Sequence, residues 1–147
     1  MRLVPVAAAV LSLALLAGPA FAQSEEDVMD QIENLHGMSS EFGAFFGQIQ
    51  DAFLFGEPTD IADLAAYPLR LQANGETYEI LAAEDLIDNF DSLVAQQTID
   101  ALASQDYADL IVTSDGVGFG NGVLWASNVC DDEDCASSQW LIISINN

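Results

Sequence analysis

Leu110-Ile111-Val112-Thr113-Ser114-Asp115-Gly116-Val117-Gly118-Phe119-Gly120-Asn121-Gly122-Val123-Leu124-Trp125-Ala126-Ser127-Asn128-Val129 is the stretch that decides the fold. Leu110 to Thr113 reads as a strand, and Ser114-Asp115-Gly116 as a turn. Val117 to Phe119 is a short strand, Gly120-Asn121-Gly122 a second tight turn, and Val123 to Val129 continues the sheet. After a loop from Cys130 to Cys135, Gln139 to Ile145 forms a last strand, rich in β-branched and aromatic residues. Short turns between successive strands make them pair antiparallel.

Working back from this block, the pattern becomes helical. Phe42, Phe45, Phe46, Ile49 and Phe53 recur at helical spacing and predict a helix over 40–54. Ser39 or Ser40 can cap it, and Gly56 and Pro58 stop it. Such a stripe can line a cavity, but at this spacing it reads as core. Thr59 can cap a short helix over 60–66 that Pro68 ends. Residues 69–73 alternate as a strand, Asn74-Gly75 is a two-residue hairpin signal, and 76–80 form the return strand. A helix over 83–94 buries Leu86, Ile87, Phe90, Leu93 and Val94, with Glu84 and Asp85 in its first turn, where the helix dipole favours acids. A shorter helix over 97–104 turns Ile99 and Leu102 inward. Residues 23–38 are acidic and weakly periodic, and read as a frayed helix or an N-terminal tail, with His36 an exposed linker side chain. Helices segregated from strands argue an α+β domain over 39–147, with helices covering one face of a curved antiparallel sheet.

Residues 1–22 read as a signal peptide. Arg2 precedes an apolar run from Val6 to Ala17, Gly18 and Pro19 break it, and Ala20-Phe21-Ala22 has the small-x-small form of a cleavage site before Gln23. An uncleaved anchor is the competing reading. Cleavage leaves one domain's worth of chain, placed in the periplasm or secreted, with no membrane association afterwards. It also leaves Arg70 as the single basic side chain against 24 Asp and Glu, a formal net charge of −23. Nucleic acid and anionic membrane surfaces are polyanions and would be repelled. A cationic partner, a salty environment or colloidal solubility accounts for such acidity.

Cys130 and Cys135 flank Asp131-Asp132-Glu133-Asp134. Export and an even cysteine count predict a disulfide across a hairpin loop. Two thiolates and one histidine make no closed zinc site. The four acids lack the spacing and glycine of a calcium loop and read as a solvated hairpin tip. Glycines 116, 118, 120 and 122 sit among strand residues in a chain without lysine, which suits turns and close strand packing rather than a phosphate loop. No cofactor or metal is expected. Arg70, a lone cation on a strand, can hold a carboxylate ligand bidentately or pair with a structural acid.

Tyr67-Pro68-Leu69-Arg70-Leu71, the helix from Ala83 to Leu93, and Gly116 to Trp125 with the final strand ending Ile143-Ser144-Ile145-Asn146 carry a likeness to a known family. Together they resemble the nuclear-transport-factor-2-like superfamily, the cone-shaped α+β (cystatin-like) fold that includes ketosteroid isomerases and small exported bacterial proteins. The resemblance covers about residues 40–147 and concerns structural motifs. It implies a cone whose mouth Tyr67, Tyr78 and Trp125 would line together with Asp91. The family's enzymes use a buried carboxylate and hydroxyl or carboxylic acid donors in the cone. No residue of this chain takes those roles by motif, so no catalytic residue is assigned.

These observations favour a non-enzymatic exported binding or interaction domain, monomeric or dimeric. It would hold a small apolar ligand in the cone or a cationic protein on the sheet. A small isomerase, cyclase or hydratase using a pocket carboxylate is the alternative, and a structural envelope protein a third reading. A deep cavity around a buried acid would favour the enzyme. A filled cone and a flat acidic sheet face would favour protein binding.

Overall fold

The computed structural model describes residues 22–147. The segment expected to be a signal peptide lies, up to Phe21, outside the described residues. The first element is a helix, α1 (Glu25–His36), with a complete capping box: Ser24 Oγ accepts from the Asp27 N–H, and the Asp27 carboxylate accepts from the Ser24 N–H. Val28 and Ile32, one turn apart, are fully buried. This is a firmer element than the frayed helix or tail expected, because a narrow apolar stripe suffices once it meets a core.

Helix α2 (Ser39–Phe55) follows after a sharp turn through Gly37 and Met38. Its N-cap is Met38, in left-handed conformation at φ 55°, and not Ser39 or Ser40. The Ser39 N–H instead donates to the Glu33 carboxylate of α1. His36 also departs from expectation. It is half-buried, with Nε2 donating to the Thr113 carbonyl at 2.7 Å and its ring edge-on to Trp140. Trp140 in turn donates through Nε1 to the Met38 carbonyl. The junction of the two helices is thereby pinned to the sheet.

Helix α3 (Pro58–Asp63) starts on its proline, whose missing N–H would be unsatisfied there in any case. Strand β1 (Ala65–Ala73) runs through Pro68 and begins four residues earlier than the alternation suggests; the Tyr67–Pro68 peptide is cis. Asn74 and Gly75, at φ 55° and 79°, form the two-residue turn into β2 (Glu76–Ile80), with Ala73 opposite Glu76. Positive φ at both positions is what the hairpin twist requires and what this dipeptide tolerates. Helices α4 (Ala83–Leu93) and α5 (Gln96–Ala103) come next. Strands β3 (Ile111–Thr113), β4 (Gly116–Phe119), β5 (Leu124–Cys130) and β6 (Ser138–Asn146) complete the chain.

The six strands form one open sheet in the order β2-β1-β6-β5-β4-β3. Every neighbouring pair is antiparallel except β1 and β6, which run parallel. The sheet is therefore mixed, which amends the expectation of an antiparallel one. Residues that pair across this seam lie far apart in sequence and leave no turn signal.

The helices cover one face. Phe42 and Phe53 of α2, Ile61 of α3, Leu86 of α4 and Leu102 of α5 meet Leu69, Leu71, Phe119, Leu124 and Ile142 of the sheet, all fully buried. Each such side chain contributes about 1.5–3 kcal/mol by leaving water. Phe42 is central: the rings of Trp140, Tyr107 and Phe119 lie 4.8, 5.9 and 6.1 Å from its own. Truncating it to alanine would cost about 3–5 kcal/mol. Cys130 and Cys135 are disulfide-bonded across the β5–β6 loop. The acids of that loop fasten it, Asp131 accepting from Ser137 and Gln139 and Asp132 from the Ala136 N–H. No helix among the described residues is long and apolar enough to cross a membrane.

Candidate functional site

The register of the sheet sets out one transverse row on the face away from the helices. Glu79 stands opposite Arg70, Arg70 opposite Ser144, Ser144 opposite Trp125, Trp125 opposite Gly118, and Gly118 opposite Ile111. Side chains two residues on lie on the same face, so Gln72 and Thr113 belong to it as well. A bulge adds a further residue: Trp125 pairs with Ser144 but Ala126 with Ile142, so Ile143 is left over.

Arg70, Gln72, Thr113, Asp115, Trp125, Ile143, Ser144 and Asn146 line one groove of about 400 Å³ on this face. Three strands separate β1 from β3, which in a flat sheet would place their residues roughly 19 Å apart at four strand spacings. That both strands contribute to one groove reflects the twist, which lifts opposite corners of the sheet toward the same side.

The floor of the groove is Trp125, and its seat is made by glycines. A Cβ on Gly118 would stand 3.1 Å from the indole, and one on Gly122 3.5 Å from its Nε1. The ring therefore lies over bare backbone. Arg70 is exposed, and no ion pair forms among the described residues. Asp115 is exposed on the opposite bank.

Of the five residues expected to bind a ligand, Arg70, Tyr67, Tyr78, Asp91 and Trp125, the structure brings together Arg70 and Trp125 only. Tyr67 packs against the core and donates to the Ala62 carbonyl at 2.8 Å. Its hydroxyl is pushed up to about 12, chiefly by burial and then by Asp63 and Glu84, so it stays a proton donor. Tyr78 sits opposite Leu71, on the helix side of β2, and donates to the Glu76 carboxylate. That hydrogen bond raises its hydroxyl as well. Asp91 is an exposed residue of α4 in a separate cleft with Asn74 and Asn147. Gln72, Ile143, Ser144 and Asp115 were not singled out from sequence. Alternation from Arg70 points to Gln72. The other residues depend on the bulge and the twist, which no local pattern encodes.

The helix side offers little chemistry. It is filled by the core, and all 24 carboxylates of the chain are exposed. Asp27 and Glu33 lie below their ordinary range, Asp27 through hydrogen bonds from Ser24 and Glu33 through those from Ser39. The buried polar residue Gln105 is structural: its Oε1 accepts from the Gly120 N–H and its Nε2 donates to the Asp106 carbonyl. Among the described residues no three metal-ligating side chains cluster. A second cleft of about 410 Å³, between α5 and the β4–β5 turn, is polar, with Ser104, Asp106, Asp109 and Asn121 on its walls. The open sheet face is a mixed groove holding a guanidinium and an indole.

No protein-family model, curated protein or solved structure matches the chain.

Proposed function

We infer that this protein is a non-enzymatic binding domain, working outside the cytoplasm, and that its binding surface is the open face of the sheet. One observation carries the reading. Every carboxylate is exposed and the helix side is filled, while the uncovered face holds a groove lined by Arg70 and Trp125. An isomerase or hydratase of the cone type would need an acid withdrawn from water to hold its proton at neutral pH. A binding domain needs only a concave surface with a few placed polar groups. The Cys130–Cys135 bond and the leader-like residues 1–22 support an oxidising, extracytoplasmic setting. Descent from the nuclear-transport-factor-2-like fold is part of the same proposal, supported by the order of helices, hairpin, helix pair and strand run.

The test is native mass spectrometry on protein purified from its own host's exported fraction. A retained small molecule or partner, recovered chemically unchanged and lost from Trp125→Ala, is the expected result. Conversion of the retained molecule on incubation would establish an enzyme instead. Retention that Trp125→Ala leaves intact would move the site off this face.

A further inference from the structure

The groove over Trp125 carries one charge of each sign on opposite banks. Arg70 stands on β1 and Asp115 on the β3–β4 turn, with the indole between them and no ion pair joining the two. Among the described residues no ion pair or hydrogen bond holds the guanidinium, even though Glu79 stands opposite Arg70 on β2, so it is open to a ligand.

Three classes of ligand can be weighed against this arrangement. A plain anion must approach a protein of net charge −22 over the whole sequence, and long-range repulsion slows and weakens its arrival. A plain cation meets 24 exposed carboxylates and has little reason to prefer this one. A zwitterion is neutral at long range, and only here does it find both a guanidinium and a carboxylate. The guanidinium suits a carboxylate through two parallel hydrogen bonds. The indole offers its free face to an apolar body, because the other face is pressed on Gly118 and Gly122. Gln72 and Ser144 supply neutral hydrogen-bonding groups along the β1–β6 seam. The volume, about 400 Å³, is that of a small-molecule site.

We propose that this groove binds a short zwitterionic peptide, its carboxylate on Arg70, its ammonium toward Asp115 and an apolar side chain laid on Trp125. The proposal rests on the binding-domain reading and names the ligand class for that face.

The test is a titration followed by the indole N–H resonances of the two tryptophans. Trp125 lines the groove, and Trp140 is buried on the helix side. The probes are the peptides Gly-Phe and Gly-Phe-Gly, each compared with its N-acetylated and C-amidated forms. At least one free zwitterion should move Trp125 saturably and leave Trp140 in place, with a dissociation constant on the order of 1 mM for a ligand of this size. Blocking either terminus should weaken binding roughly tenfold, the scale of one exposed charge-assisted contact. Arg70→Gln should erase the preference over the amide, and Asp115→Asn the preference over the N-acetyl form. Both positions are exposed, so neither variant should disturb folding, and the blocked probes test the wild-type protein without any variant.

No saturable movement of Trp125 with either zwitterion overturns the proposal. So does equal binding of the blocked forms, or affinity unchanged in both variants. If the zwitterions fail while native mass still shows a species that Trp125→Ala releases, the ligand class falls and the binding-domain reading stands. If both fail, both fall.

Discussion

Thr98 Oγ1 donates to Asn147 Oδ1 at 2.8 Å, and this bond ties α5 to the residue just beyond β6. The same Asn147 oxygen accepts from the Ala95 N–H, while its Nδ2 donates to the carbonyls of Leu93 and Gln72. One amide thus satisfies the exit of α4, the entry of α5 and the end of β1. It fills a gap left by sequence, since α5 has no side-chain cap of its own. Thr98→Val keeps the shape and removes one buried hydroxyl, at a cost of about 1 kcal/mol. Asn147→Ala strands several groups at once and should cost about 1–3 kcal/mol. Urea unfolding measures both. A larger loss from Thr98→Val than from Asn147→Ala would contradict this division of roles.

The capping box of α1 gives a pH dependence of known sign. Hydrogen bonds from Ser24 hold Asp27 below its ordinary 3.8, so protons bind the unfolded chain more readily there. The contribution is full above 3.8 and fades as pH falls through the lowered value. Ser24→Ala should lower stability by about 1 kcal/mol at neutral pH. The gap between wild type and variant should narrow steadily below pH 3.8 in paired denaturation curves. A gap of constant width down to pH 2 would mean that the hydroxyl caps the helix without help from the carboxylate.

Salt should stabilise the fold. With 24 exposed carboxylates and no ion pair among the described residues, electrostatics at neutral pH is mostly self-repulsion. Screening shortens to about 8 Å at 0.15 M. Melting temperature should therefore climb from low to moderate NaCl in the protein alone. A flat or falling trend would show that the acids are spaced well enough to be harmless, and would return attention to a cationic partner.

Two glycines of β4 should differ sharply in tolerance. At Gly116, φ is 153° and an added Cβ would press into the Ala126 carbonyl oxygen. At Gly118 the neighbour is the Trp125 ring, which can shift by a few tenths of an ångström. Gly116→Ala should cost about 2–3 kcal/mol and Gly118→Ala about 1 kcal/mol. The second should also displace the Trp125 indole, seen as a change in its fluorescence and N–H shift. Equal costs, or an unmoved indole in Gly118→Ala, would refute the packing described.

The sequence made local features legible and distant ones opaque. Asn74-Gly75 encoded its hairpin, because two positive φ angles are a property of two adjacent residues. The stripe from Phe42 to Phe53 encoded α2, and the face of α4 was readable in the same way. The β1–β6 seam was not, since its partners meet only after everything between them has folded. His36 looked like a linker residue because its partners, Thr113 and Trp140, come from strands much later in the chain. The candidate site divides along the same line. Arg70 was conspicuous by rarity and Trp125 by size. Tyr67, Tyr78 and Asp91 were grouped with them by analogy, and the register sends them elsewhere. Asp115 reaches the groove through sheet twist alone.

The position of β6 between β1 and β5 has a consequence for how the molecule is made. The β1–β2 hairpin and the β3-β4-β5 meander are each local and can form as soon as their residues are available. Nothing joins them until β6 inserts, and β6 follows every other described strand along the chain. Its insertion zips two half-sheets along two seams at once, one of them parallel and of long sequence separation. Such non-local closure is slow compared with helix or hairpin formation. Until that insertion the two half-sheets stay open, with the aromatic interior unsealed, and the domain closes as a whole only when β6 is in place.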